Sequence, residues 1–242
     1  MSKIVKRTLD FIDLFAKEKR PLSLSEISRL LGIPMSSCFD VIRSLQERGY
    51  VYELGQRAGY YPTQKLKRMA DEISKNDPIV ERAGIKLRGL RDEFDESVSL
   101  AVSTGRQVTY LLVFEPSHAL RFLVAVGDQA RSLHATSVGK ALLSTLSSDA
   151  FEEEIAKGLK PMTEHTITEP DVLRRDIRDS AARGYFINRE ESILTGLTVT
   201  TCFRWNRSDY FITMAGASYR FADHLDRAIV RMTEVGRELE AP

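Results

Sequence analysis

Between residues 22 and 49 the chain carries the punctuation of two short helices joined by a tight turn. Ser23 and Glu26 stand at the spacing of a capping box, in which the Ser23 hydroxyl accepts from the Glu26 amide and the Glu26 carboxylate reaches back to the Ser23 amide. Leu22 and Ile27 occupy the two positions of a hydrophobic staple, so a helix starts at Leu24, with Leu24, Ile27, Leu30 and Leu31 as its apolar stripe. Gly32 ends it. Pro34 suits the first turn of a second helix, where a missing N–H costs nothing, and Gly49 closes that helix. Cys38, Val41, Ile42 and Leu45 then face a core, which leaves Met35, Ser36, Ser37, Phe39, Asp40, Arg43 and Ser44 outward. Upstream, Ile4, Leu9, Ile12, Leu14 and Phe15 predict an amphipathic first helix that covers the pair.

After Gly49, residues 50–54 have strand composition, Gly55 to Gly59 supply a hairpin tip, and Tyr60 and Tyr61 return. The whole is the layout of a winged helix-turn-helix, which places its second helix in the major groove of double-stranded DNA; Arg57 at the tip is positioned for phosphate or the minor groove. Charge agrees with a DNA partner. Residues 1–68 hold thirteen Lys or Arg against seven acids, a net +6, while the remainder carries −5. A winged helix can also serve protein contacts, so an interaction adaptor is the competing reading.

Residues 63–75 form a charged helix with Leu66, Met69, Ala70 and Ile73 on one side, and Asn76-Asp77-Pro78 punctuates the chain after it. The expected organisation is a DNA-binding domain over 1–62, a linker helix over 63–76 and a second domain over 77–242. In the second domain a helix over Ile79 to Asp95 buries Ile85, Leu87, Leu90 and Phe94. Strands follow at 97–102, 108–114 and 120–126, helices at 139–145, 149–157 and 170–183, two closing strands at 198–203 and 209–215, and a terminal helix at 221–239. Hairpins flanked by helices make this an α+β domain of sensor type.

Several chemistries are set aside. No apolar run approaches the roughly 20 residues of a membrane span, and the basic start is interrupted by Asp10 and Asp13, unlike a secretory signal, so a cytoplasmic protein with no membrane partner is expected. Cys38 and Cys202 lie in different domains and form no C-x-x-C pair, and the four histidines show no metal spacing, so neither a disulfide, a metal nor a cofactor is expected. Gly139-Lys140 lacks the glycine five residues earlier, where His134 stands, and Ala141 replaces the Ser or Thr of a phosphate loop. The turn before that helix can still offer free N–H groups to a carboxylate. Gly216-Ala-Ser218-Tyr-Arg220 lacks the second glycine of a nucleophile elbow. Glu190 and Glu191 are adjacent and point apart rather than pairing for acid–base work. No catalytic set is visible, so an enzyme with a DNA-binding appendage is the weaker alternative.

The segments Leu133-His-Ala-Thr-Ser-Val-Gly-Lys-Ala-Leu-Leu143 and Arg183-Gly-Tyr-Phe-Ile-Asn-Arg-Glu-Glu191, with Gly196 and the closing strand ending at Gly216, stand in order behind the winged helix. By these the chain resembles the IclR family of bacterial transcriptional regulators across nearly its full length. The resemblance implies a GAF-like second domain that binds a small organic acid effector, assembly as a homodimer or homotetramer, and control, more often by repression, of genes for organic acid or aromatic compound metabolism. Carried across residue by residue, it implies an effector pocket lined by Ser137 and Val138, Asn188, Val199, Thr213 and Ala215, with His134 at the entrance of the signature loop. Asn188 stands where a carboxylate is frequent in the family, Val199 where a cysteine is usual and Ala215 where a serine is usual. Those exchanges remove charge and polarity, and predict an acid with an aromatic or aliphatic body.

The DNA face departs from the family as well. Met35-Ser-Ser37 and Asp40 stand where Lys-Ser-Thr and an Arg are usual. Asp40 can accept from a cytosine amino group but repels phosphate, while Phe39 and Met35 can contact a thymine methyl. Affinity then falls more heavily on Arg43, Arg57 and the basic residues of the first helix.

Overall fold

The computed structural model describes residues 3–55, 58–119, 121 and 124–241. The chain divides into two compact units, Met1–Asp77 and Pro78–Pro242.

The first unit contains α1 (Lys3–Glu18), α2 (Leu24–Leu31), α3 (Met35–Glu47), β1 (Val51–Glu53), β2 (Tyr60–Pro62) and α4 (Lys65–Lys75). The capping box at α2 is formed in both directions: Glu26 N donates to Ser23 Oγ at 3.3 Å and Ser23 N donates to Glu26 Oε2 at 2.9 Å. These bonds, with help from Arg20, hold the Glu26 carboxyl at about 2. Pro34 sits at the N-cap of α3, just ahead of its first turn. Phe11, Leu22, Ile27, Cys38 and Ile42 make a closed core, and Leu22 exchanges two backbone hydrogen bonds with Tyr60 that tie the wing to the helices.

One expectation fails here. The buried stripe of α1 is Phe11, Leu14 and Phe15, whereas Ile4 and Leu9 are 72% and 56% exposed. Leu9 lies roughly 200° round the helix from Phe11, and so on the opposite face; Ile4 is in the first turn, ahead of any buried residue. The stripe on α4 contributes no buried residue.

The second unit contains α5 (Pro78–Phe94), β3 (Ser97–Thr104), β4 (Gln107–Phe114), α6 (Ser137–Thr145), α7 (Ser148–Ala156), α8 (Pro170–Arg183), β5 (Tyr185–Arg189), β6 (Gly196–Trp205), β7 (Ser208–Ala217), α9 (Ser218–Phe221), a single 3-10 turn at Ala222–His224 and α10 (Leu225–Glu240). Five strands form one antiparallel sheet in the order β4-β3-β7-β6-β5. Leu87, Leu90 and Phe94 of α5 and Met232 and Val235 of α10 cover one face, packing on Val98, Leu100, Val199, Ile212 and Met214. Val138 and Leu142 of α6 and Leu173 of α8 pack on Tyr110, Phe186 and Phe211 from the other. The result is three layers, an α+β architecture.

The strand expected over residues 120–126 is not formed as such. Residues 120, 122 and 123 lie outside the described residues, and 121 and 124–126 carry no strand; an isolated bridge joins Gln129 to Thr109 of β4 instead. Tyr185–Arg189, which the pattern marks only as a motif, is a strand. Ile85 is 84% exposed rather than buried, because Ala83, Leu87 and Leu90 define the inward face of α5. The terminal helix is broken into α9, the 3-10 turn and α10.

Candidate functional site

In the first unit, the outward face of α3 carries Met35, Ser36, Phe39, Asp40 and Arg43, all exposed, and Ser37, half-buried. Met35 and Phe39 are 52% and 48% exposed, large apolar side chains on a surface that the fold does not use for its own core. Arg43 Nε donates to Glu47 Oε1 at 2.9 Å, an exposed i,i+4 pair that a phosphate can displace at little cost. Asp40 does not pair with Arg43, and its carboxylate has no partner among the described residues. Arg57 lies outside the described residues.

In the second unit a cavity of 280 Å³ opens on the face of the sheet that α6 covers. Its floor follows from strand alternation. Ser97 and Ser99 of β3, Thr198 of β6 and Thr213 and Ala215 of β7 line it, while Val199 and Met214, one residue away, belong to the opposite face, and Val98, which borders the cavity, packs in the core of that face. A run of hydroxyls crosses the floor: Ser137 Oγ lies 2.7 Å from Thr198 Oγ1 and 2.8 Å from Thr200 Oγ1, and Thr200 Oγ1 lies 2.8 Å from Thr213 Oγ1. Ser97 Oγ is buried with no hydrogen-bond partner.

The wall opposite the floor begins at the N-terminus of α6. Thr136 caps that helix by accepting from Gly139 N at 3.1 Å, and Thr136, Ser137 and Val138 all line the cavity. Gly139 is required here. A Cβ at this position would lie 2.5 Å from the backbone of Ser132 and Leu133, so any side chain would push the signature loop off the helix. Lys140, on the next residue, is 1% exposed; its Nζ is 2.6 Å from Glu191 Oε1 and 2.8 Å from Asp176 Oδ2, the second contact being within ion-pair distance but not aimed as a hydrogen bond. Burial pushes the Glu191 carboxyl up, against the pull of Lys140. This cluster ties α6 and α8 to the β5–β6 connection, whose Ser192 and Ile193 complete the wall.

Asn188 is 2% exposed and lines the cavity, yet all its polar atoms are engaged. Its Nδ2 donates to Ala135 O and Ser192 Oγ, both at 2.8 Å, and its Oδ1 accepts from Glu191 N at 2.8 Å. It therefore braces the two signature segments against each other.

Of the residues expected to form an effector pocket, the structure brings together Ser137, Val138, Asn188, Thr213 and Ala215. It does not bring Val199 or His134. Val199 is fully buried in the core on the helix α5 and α10 side, because a shift of one residue along a strand reverses the face. His134 bonds Ser132 Oγ at 3.1 Å and Lys160 O at 3.0 Å, and lines a separate cavity of 160 Å³ beside α7. With Val199 removed, the inference of a less polar pocket loses one of its three supports.

Sequence reasoning missed Ser97, Ser99, Tyr110, Arg121, Asp128, Arg131, Met162 and Ser192. Only the alternation of β3, with serines at 97 and 99 between Val98 and Leu100, signalled a polar face. Burial, with the nearby Asp128 carboxylate adding to it, pushes the Tyr110 phenol up to about 12, so it remains a protonated donor.

Comparison with known proteins decides the family. A model of the bacterial transcriptional regulator IclR C-terminal domain matches residues 71–239, and one of the IclR helix-turn-helix domain matches residues 4–55. The chain belongs to the IclR family. It is a transcriptional regulator with a DNA-binding helix-turn-helix, not an enzyme.

Among relatives in the IclR family, the transcriptional repressor AllR of Klebsiella pneumoniae is 27% identical over 194 residues, covering 80% of this chain and 71% of that protein. The repressor IclR of Escherichia coli is 23% identical over 235 residues, covering 95% and 83%. The crystal structure of an IclR transcriptional regulator from Alicyclobacillus acidocaldarius has a TM-score of 0.83 at 19% identity, covering 99% of this chain and 98% of that one. An IclR homologue from Microbacterium hydrocarbonoxydans, complexed with 4-hydroxybenzoate, has a TM-score of 0.81 at 18% identity and covers 98% of each chain. These structures share the fold of this IclR-family chain. Among its described residues no helix is long and apolar enough to cross a membrane.

Proposed function

We propose that this regulator binds a double-stranded DNA operator as a homodimer or homotetramer, works more often as a repressor, and changes its DNA affinity when a small organic acid enters the cavity of the second unit. The observation that carries this reading is the cavity itself. It has a volume of 280 Å³, a hydroxyl-bearing floor, and a helix N-terminus in its wall, the combination that suits an acid with a carboxylate at one end and an organic body. The 4-hydroxybenzoate held by the Microbacterium homologue is an acid of that kind. The effector-facing residues are Ser137, Val138, Thr213 and Ala215, with Asn188 bracing the wall. The DNA-facing residues are Met35, Ser36, Ser37, Phe39, Asp40, Arg43 and Arg57, on a first domain over 1–62 joined through a linker at 63–76. Such a protein acts in the cytoplasm, where its operator is.

A gel shift on DNA upstream of the chain's own gene tests the output side. The expected result is a shift that weakens steeply with salt and, at physiological salt, is lost in Arg43→Ala and Arg57→Ala. A folded protein that shifts none of its candidate promoters would overturn the proposal and favour the adaptor reading, in which the apolar Met35 and Phe39 meet another protein.

A further inference from the structure

The cavity has a second anion-receiving end that the acid reading does not use. Arg131 lines it, and among the described residues the Arg131 guanidinium has no hydrogen bond or ion pair. The other arginine of the lining, Arg121, is already engaged, with Nε 3.2 Å from Glu115 Oε2. Asp128, the one carboxylate of the lining, accepts from Ala125 N at 2.9 Å. Arg131 is moreover delivered by ordered backbone. Tyr110 N donates to Asp128 O at 3.1 Å, Gln129 bridges Thr109, and Ala130 N donates to Val108 O at 3.1 Å, so residues 128–130 lie along the outer edge of β4. A guanidinium that has no partner among the described residues, carried beside a cavity on held backbone, is a ready receiver for a carboxylate, which it can take in a bidentate pair.

The backbones that carry the two ends are far apart. The N-terminus of α6 stands over β6, where Ser137 bonds Thr198 and Thr200, while Arg131 belongs to the β4 edge. From β6 to β4 the sheet order crosses three strand spacings, about 14 Å at 4.8 Å each. A small monoacid seated at either end leaves the other empty. Between the ends the floor offers Ser97, a residue 6% exposed whose Oγ has no hydrogen-bond partner among the described residues, an orphaned buried hydroxyl that a bound molecule would satisfy.

We infer that the effector is an elongated dianion, a dicarboxylic acid with a flat aromatic or extended aliphatic body, with one carboxylate on the free amides of Ser137 and Val138 and the other on Arg131. This rests on the reading of the cavity as an organic acid site and adds the second charge and the length. It makes Arg131 a specificity residue, since a site with an unpaired cation at the far end favours the molecule that neutralises it over one that buries a methyl group there.

The experiment is calorimetric titration of the full chain with two matched pairs, terephthalate against para-toluate and suberate against octanoate. Within each pair the body is the same and only the second carboxylate differs. The expected result is that at least one diacid binds roughly tenfold or more tighter than its matched monoacid, that Arg131→Gln abolishes this preference, and that Arg131→Glu inverts it. Arg131 is exposed and its side chain has no partner among the described residues, so neither substitution threatens the fold. Equal binding of diacid and monoacid, or a preference that survives Arg131→Gln, overturns the dianion inference and leaves the organic acid site standing. Binding of none of the four acids to a chain that still shifts its DNA overturns both.

Discussion

The two units of this regulator put their functional groups on display in opposite ways. In the first, the side chains we propose to face DNA project from one face of α3, mostly exposed and held by local structure; Arg43 pairs one turn away with Glu47. In the second, the polar groups that brace the domain are largely buried and held by partners remote in the chain: Ser137 bonds Thr198 across 61 residues, Lys140 bonds Glu191 across 51, and Arg220 bonds Glu96 across 124. The contrast teaches that an exposed recognition surface can be exchanged residue by residue, whereas a buried polar site stands or falls with its bracing. Substitutions sharpen or break that contrast.

The largest effect is expected at the buried cluster. Lys140→Met removes the cation and leaves Glu191 and Asp176 uncompensated, which should cost about 3–5 kcal/mol in the second unit, read by urea unfolding; adding Glu191→Gln should recover much of it. A cost under about 1 kcal/mol would show that the site does not depend on its bracing. Next comes Gly216→Ala. A Cβ there would sit 2.5 Å from the Glu96 carboxyl carbon, and that carboxylate is held by both Nε and an Nη of Arg220 at 2.7 Å, so about 2 kcal/mol is expected from the forced displacement.

In the first unit the corresponding change is smaller. Ser23→Ala deletes the capping hydroxyl of α2 and should cost about 1 kcal/mol, with unfolding of the second unit unchanged. Smaller still in stability, Arg43→Ala should stay within about 0.5 kcal/mol of the parent. It should nevertheless lower the slope of log affinity for DNA against log salt by about 1 if Arg43 neutralises a phosphate.

Acid separates the units by sign. The Glu26 carboxyl is depressed to about 2, so its contribution to the first unit is present above 4.5 and is lost as pH falls through about 2. The Glu191 carboxyl is raised by burial, so the second unit carries a penalty that grows as pH rises through that raised value and is absent below 4.5. Glu26→Gln should flatten the acid limb of the first unit alone, and Glu191→Gln the higher limb of the second alone, as followed by unfolding at a series of pH values.

What the sequence revealed follows the same division. The capping box, Gly32, Pro34 and the hairpin between β1 and β2 are decided by residues within a few positions of one another, and were legible. So were α8, from Pro170 to Arg183, and the cavity positions Ser137, Thr213 and Ala215. Val199 was misplaced because strand alternation gives two faces, and which face is the cavity depends on α5 and α10 covering the other. Arg131 was invisible because it reaches the cavity through pairing of Gln129 with Thr109, which no periodicity announces. His134 was overvalued for its place in a motif; its ring is occupied by Ser132 and Lys160.

The order of strands in the sheet has a consequence for how the protein comes into being. β3 pairs with β7, and β7 runs to Ala217, so the cavity floor, which draws on β3, β7 and β6, is incomplete until nearly all of the chain has left the ribosome. The first unit ends at Asp77. At roughly 5–20 residues per second, the DNA-gripping end precedes the completed sheet by on the order of ten seconds. Each newly made molecule thus holds its helix-turn-helix well before the sheet beneath its cavity can close.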